Sequence, residues 1–240
     1  MNVPLFELCA GSLSAARAAE MWGVDRVELC SEMSIGGVTP DPWLVESAVQ
    51  TLSIPLYVMI RPRGGNFAFT ADEFALMCRH IELVKKAGAH GVVLGVLLPN
   101  GCVDEERTRR LVELARPMKV TFHRAFDETR DLSEALEAVI ATGTDCILTS
   151  GGVADALSGA GSIARLVAQA AGRIEIMAGG GLHVDSLVEV LRRTGTNKVH
   201  ASLTRKQSGP ASTKSIEPLD ADIQKAVELL REEFVRLGRN

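Results

Sequence analysis

A short β-rich run followed by a segment of helical periodicity recurs eight times along the chain without an interrupting linker, and this repetition limits the fold more than any other feature. The β-rich runs fall at 5–9, 26–30, 56–60, 91–95, 119–123, 145–149, 174–178 and 198–202. The periodic segments fall at 13–22, 42–52, 71–86, 104–115, 132–141, 163–170, 184–193 and 220–237. Several helices carry start signals: Thr70 three residues before Glu73, Asp131 three before Glu134, and Asp41 followed by Pro42. The return to the sheet reuses one joint four times, as Gly23-Val24-Asp25, Gly88-Ala89-His90, Gly143-Thr144-Asp145 and Gly195-Thr196-Asn197. A glycine at that place ends a helix in the left-handed conformation. The pattern predicts an α/β fold, a closed (β/α)8 TIM barrel forming a single domain over 1–240, in preference to an open doubly wound sheet.

The charge balance narrows the partners. With 26 basic against 30 acidic residues the chain lacks the positive footprint of a nucleic-acid or anionic-membrane binder. The longest uncharged stretch, 87–103, is broken by glycine, proline and asparagine, so no membrane span is expected. Residues 1–4 lack a basic leader region, which predicts a cytoplasmic protein. Five scattered cysteines, an odd number without CxxC spacing, predict reduced thiols rather than a disulfide framework.

In a parallel barrel the functional end is where the strands finish. The run Lys119-Val120-Thr121-Phe122-His123 ends in polar groups, with Arg124 and Asp127 just beyond. Side-chain alternation, with Phe6 and Leu8 facing the helices, points Glu7 and Cys9 inward, and likewise Glu28 and Cys30, Met59 and Arg61, Thr121 and His123, and Lys198, His200 and Ser202. Two carboxylates on adjacent strands need compensation, for which Arg61 and one or both histidines are the expected partners. Glycine pairs at 36–37, 64–65 and 151–152 and the run Gly179, Gly180, Gly181 follow strands on the same side, where backbone N–H groups can approach an anion. Arg61, Arg63 and Ser202 extend that expectation to a small anionic ligand. Cys78 and Cys146 read as small core residues, and Cys102 sits in a polar turn. Cys9 and Cys30 occupy equivalent places on neighbouring strands and could bring two sulfurs together near the mouth.

These residues resemble a known family. Phe6-Glu7-Leu8-Cys9 with its echo at Val27–Cys30, the loop Ile60-Arg61-Pro62-Arg63-Gly64-Gly65, the central Thr121–Asp127 segment, Leu148-Thr149-Ser150-Gly151 and Ala178-Gly179-Gly180-Gly181 are together similar to the CutC family. The resemblance implies a (β/α)8 barrel, a cytoplasmic location, copper homeostasis with Cu(I) bound by cysteines, and a homodimer. Carried onto this chain, the copper attribution falls on Cys30, with Cys9 as the nearest second sulfur. The residues themselves support an alternative, a barrel enzyme of unknown reaction acting on a small anionic substrate, a class that includes phosphorylated ones. There His123 would be the general acid or base, with Asp127 beside it and His200 facing the same mouth. Glu7 or Glu28 would be the complementary carboxylate, Arg61 an anion clamp and 179–181 a phosphate cradle. A third reading is a dimeric binding scaffold. The polar segment 206–215 is expected to act as a lid or a dimer contact.

Overall fold

The computed structural model describes residues 4–204, 218 and 220–237. The segment 206–215 lies outside the described residues. Eight parallel strands form a closed barrel in chain order: β1 (Leu5–Ala10), β2 (Arg26–Leu29), β3 (Leu56–Met59), β4 (Gly91–Leu94), β5 (Lys119–Phe122), β6 (Cys146–Thr149), β7 (Glu175–Gly179) and β8 (Lys198–Ala201). Outside lie α1 (Leu13–Met21), α2 (Pro42–Thr51), α3 (Ala71–Ala87), α4 (Glu105–Ala115), α5 (Leu132–Ala141), α6 (Ala160–Ala170), α7 (Leu187–Thr194) and α8 (Asp220–Leu237). Closure of β1 against β8 removes the open-sheet alternative.

The local signals explain the helix ends. Thr70 and Glu73 exchange bonds in a full capping box at α3, and Asp131 caps α5 by accepting from Ser133 and Glu134. Gly23, Gly88, Gly143 and Gly195 all have positive φ, as the repeated joint requires. Most boundaries agree with the sequence reading to within one residue, and two differ by three. The segment 184–193 opens with a 3₁₀ turn at Val184–Ser186 before α7, and α6 begins three residues early, just after Gly159, where a Cβ would collide with the carbonyl of Ser150.

Strand alternation divides the core into two shells. Outward residues such as Phe6, Leu8, Val27, Val58, Val120 and Phe122 join the helices in one continuous apolar layer. Inside the barrel, Cys9, Cys30, Tyr57, Met59 and Val93 form one small cluster and Cys146, Leu148 and Met177 another. On β4 the inward positions around Val93 are glycines, and they make room for neighbours. A Cβ on Gly91 would stand 2.7 Å from the Tyr57 ring, and one on Gly95 2.6 Å from His123 Nδ1. Gly91→Ala should therefore overpack the interior and cost about 1–3 kcal/mol in urea unfolding; an unchanged midpoint would mean that Tyr57 has room to move.

Candidate functional site at the barrel mouth

The floor of the site is a buried set of charges. Register places Glu7 beside Arg26 on β2 and beside His200 on β8. Arg26 Nε donates to Glu7 Oε2 at 2.5 Å, His200 Nδ1 lies 2.8 Å from Glu7 Oε1, and His200 Nε2 lies 3.7 Å from Glu28 Oε2. Arg26 also stacks 4.1 Å above the Tyr57 ring. Burial alone would raise the Glu7 pKa, but Arg26 and His200 outweigh it and hold the carboxyl below its ordinary value. Burial pushes Glu28 up, against the pull of His200, and leaves its Oε1 without a hydrogen-bond partner. Burial also works to lower His200, but Glu28 and Glu7 raise it on balance. The expected compensation by Arg61 is thus corrected. Arg26 and His200 neutralise the carboxylates, because Arg26 shares the inward parity of Glu28 and Cys30.

Directly above stands a cluster of sulfurs. Cys9 Sγ and Cys30 Sγ are 3.3 Å apart, and Met33 Sδ lies 3.0 Å from Cys30 Sγ and 3.6 Å from Cys9 Sγ. One carboxylate oxygen of Glu28 and the two thiols all lie within 4.8 Å of one another. Met33 arrives on a 3₁₀ turn, Met33–Ile35, at the start of a loop that an antiparallel Ser31–Val38 bridge closes. Gly37, at φ 82°, presses on the cluster so closely that a Cβ would stand 3.3 Å from Cys30 Sγ. The hydrogen bond with Cys30 first, then burial and Glu28, push the Cys9 thiol well up, so the cluster holds protons until a soft cation displaces them. Two thiols and a thioether form a donor set suited to Cu(I).

The β3 and β5 side of the mouth carries nitrogen donors. His123, just past β5, accepts the Ala125 N–H at Nδ1, which puts the proton of the neutral ring on Nε2. Burial first, then the charge of Arg61, lowers its pKa to about 3. In an NMR titration its imidazole should stay neutral from pH 8 to pH 5. Because the unfolded histidine takes up a proton near pH 6.5, the stability from burying it neutral is full above that pH and is lost as pH falls toward 3. A midpoint near 6.5 in the folded protein would contradict the burial. Arg124 donates from Nε to Asp127 and from Nη2 to Ser150 Oγ. Asp127 also accepts from Thr149 Oγ1 and from the N–H groups of Ser150 and Gly152, which fastens the loop after β6.

The CutC family model matches residues 4–205, which include all eight strands. The chain belongs to the CutC family. Family protein CutC of Xylella fastidiosa (strain 9a5c) is 47% identical over 196 residues, covering 82% of this chain and 73% of the relative. The human copper homeostasis protein cutC homolog is 43% identical over 198 residues, covering 82% and 72%. A solved CutC structure from Streptococcus agalactiae superposes with a TM-score of 0.79 at 32% identity, covering 83% of this chain and 98% of that one.

Of the residues singled out in this CutC sequence, Cys9, Glu28, Cys30, Arg61, His123, Gly180, Gly181, His200 and Ser202 line one cavity of about 640 Å³. Glu7 lies beneath it, fully buried. Arg63 turns away to pair with Glu73 at the start of α3, and Asp127 is spent on the β6 loop. Gly179 belongs to β7 itself; a Cβ there would meet Leu148 and His200 at 2.6 and 2.9 Å. Lys198, expected to converge on the mouth, instead pairs with Glu175 at the opening residues of β7 and β8. Cys146 is buried with its thiol pushed up by burial to about 12, and Cys78 and Cys102 are half-buried away from the mouth. Arg26 and Met33 were not singled out in the sequence. Alternation back from Glu28 identifies Arg26, whereas no periodicity governs the turn that carries Met33.

Proposed function

We propose that this CutC-family chain binds one Cu(I) ion as its cargo in copper homeostasis, through the Cys9 and Cys30 thiolates with the Met33 thioether as a third donor. The observation that carries the reading is the convergence of three sulfurs within 3.0–3.6 Å at the barrel mouth. Soft sulfur donors select Cu(I) over the hard divalent ions that a carboxylate site would favour. Glu28 fits a supporting role, as its carboxylate stands beside the thiols and connects them, through His200, to the Glu7 and Arg26 network below. The reading carries a cytoplasmic location, where thiols stay reduced, and the homodimer of the family resemblance. Among the described residues, no helix is long and apolar enough to cross a membrane. The test is an anaerobic titration of the reduced protein with Cu(I) against a chromogenic chelator. Uptake of one ion per chain is the expected result; failure to compete would remove direct copper binding from the account.

A further inference from the structure

A copper ion held by two or three sulfurs fills little of a cavity of about 640 Å³, a size typical of sites for small organic molecules. The wall away from the sulfurs carries two buried donors that meet no acceptor. His123 is 3% exposed, and its Nε2–H meets no acceptor. Arg61 is 5% exposed; it gives Nη1 to the carbonyls of Ile35 and Gly37 and Nη2 to that of Gly65, and its Nε is unpartnered. No carboxylate lies within ion-pair distance of this guanidinium among the described residues. The Phe67 ring joins the two groups, 4.6 Å from the Arg61 guanidinium carbon and 4.9 Å from the His123 ring. Arg124, paired through Nε with Asp127, brings a second guanidinium to the same cavity. It passes so close to Gly180 that a Cβ there would stand 2.8 Å from its Cζ, and its Nη1 has no partner among the described residues.

Buried donors left unpaired are costly, and so is a buried guanidinium that feels the Glu128 carboxylate only from beyond ion-pair distance. An incoming group that carries negative charge on acceptor oxygens satisfies both. We propose that this wall is a binding site for a small organic oxyanion, a carboxylate or a phosphate monoester, held by Arg124 and by the unpaired N–H groups of His123 and Arg61, which are closed to solvent in this structure and are reached by a turn of their side chains into the cavity. The apolar surfaces of Phe67, Leu148 and Leu182 line the same cavity and would cover the ligand's carbon skeleton. The site uses none of the sulfurs and stands independently of the copper reading.

The test is calorimetric titration of the full chain with pyruvate, glycerol 3-phosphate and inorganic phosphate, each at constant ionic strength against chloride. NMR of the His123 imidazole is followed in parallel on the unmodified protein. Saturable binding of an organic probe is expected, together with a shift of the His123 Nε2–H resonance. Preference for pyruvate assigns a carboxylate and preference for glycerol 3-phosphate a phosphate ester. Arg124→Gln should weaken the binding about tenfold or more. The Cys9→Ser, Cys30→Ser variant should bind the probe unchanged, so a failure of the copper reading leaves this result intact. Absence of saturation with every probe, saturation by inorganic phosphate alone as an adventitious ion only, or saturation without a His123 shift would overturn the site.

Discussion

Replacing Cys9 and Cys30 together by serine should weaken Cu(I) binding by more than about 100-fold, beyond the 10–100-fold that loss of an outer-shell partner costs a metal site. Serine nearly preserves the volume but substitutes a hard hydroxyl, which stays protonated where a thiol can give up its proton to a soft cation. The two thiols stand 3.3 Å apart, so the hydroxyls that replace them can bond to each other, and circular dichroism should report the same structure. Met33→Leu should show a smaller loss, since a neutral thioether contributes less than a thiolate and Cys9 and Cys30 remain 3.3 Å apart. A double serine variant that competes for Cu(I) as well as the parent would move the copper site elsewhere.

Arg26→Ala should destabilise the barrel by about 3–5 kcal/mol, because removing one partner of a buried pair leaves the other charge uncompensated. Glu7 is fully buried and its remaining polar partner would be His200, itself shared with Glu28. Tyr57 would lose the guanidinium stacked on its ring, and Met177 the Nη2 contact at 3.5 Å. Arg26→Met separates charge from packing by retaining much of the volume. Combined with Glu7→Gln, it should recover a large part of the loss in urea unfolding, as expected when the two sites are coupled. A loss below about 1 kcal/mol for Arg26→Ala, typical of exposed pairs, would mean that water reaches Glu7.

The barrel was legible because its evidence is periodic. Strand alternation placed Glu7, Cys9, Glu28, Cys30 and His200 inside correctly, and the four glycine joints marked real helix ends. The site was legible only where it rests on strands. Met33 reaches the sulfurs through a loop in which Glu32 adopts a left-handed φ of 51°, a conformation that no apolar pattern announces. Arg61 lines the mouth as alternation required, but its hydrogen bonds go to loop carbonyls whose positions depend on how 35–37 and 65 fold back. Arg26 was concealed by its type. A charged residue opening a strand reads as solvated, and only the facing carboxylate of Glu7 makes its burial intelligible.

The most direct test of the sulfur site is X-ray absorption at the copper edge on the reduced, Cu(I)-loaded protein. The expected spectrum has a coordination shell of sulfur alone, with three sulfurs in the parent and two in Met33→Leu. A shell dominated by nitrogen or oxygen, or one that Cys9→Ser and Cys30→Ser leave unchanged, would contradict the assignment of Cu(I) to the Cys9, Cys30 and Met33 cluster.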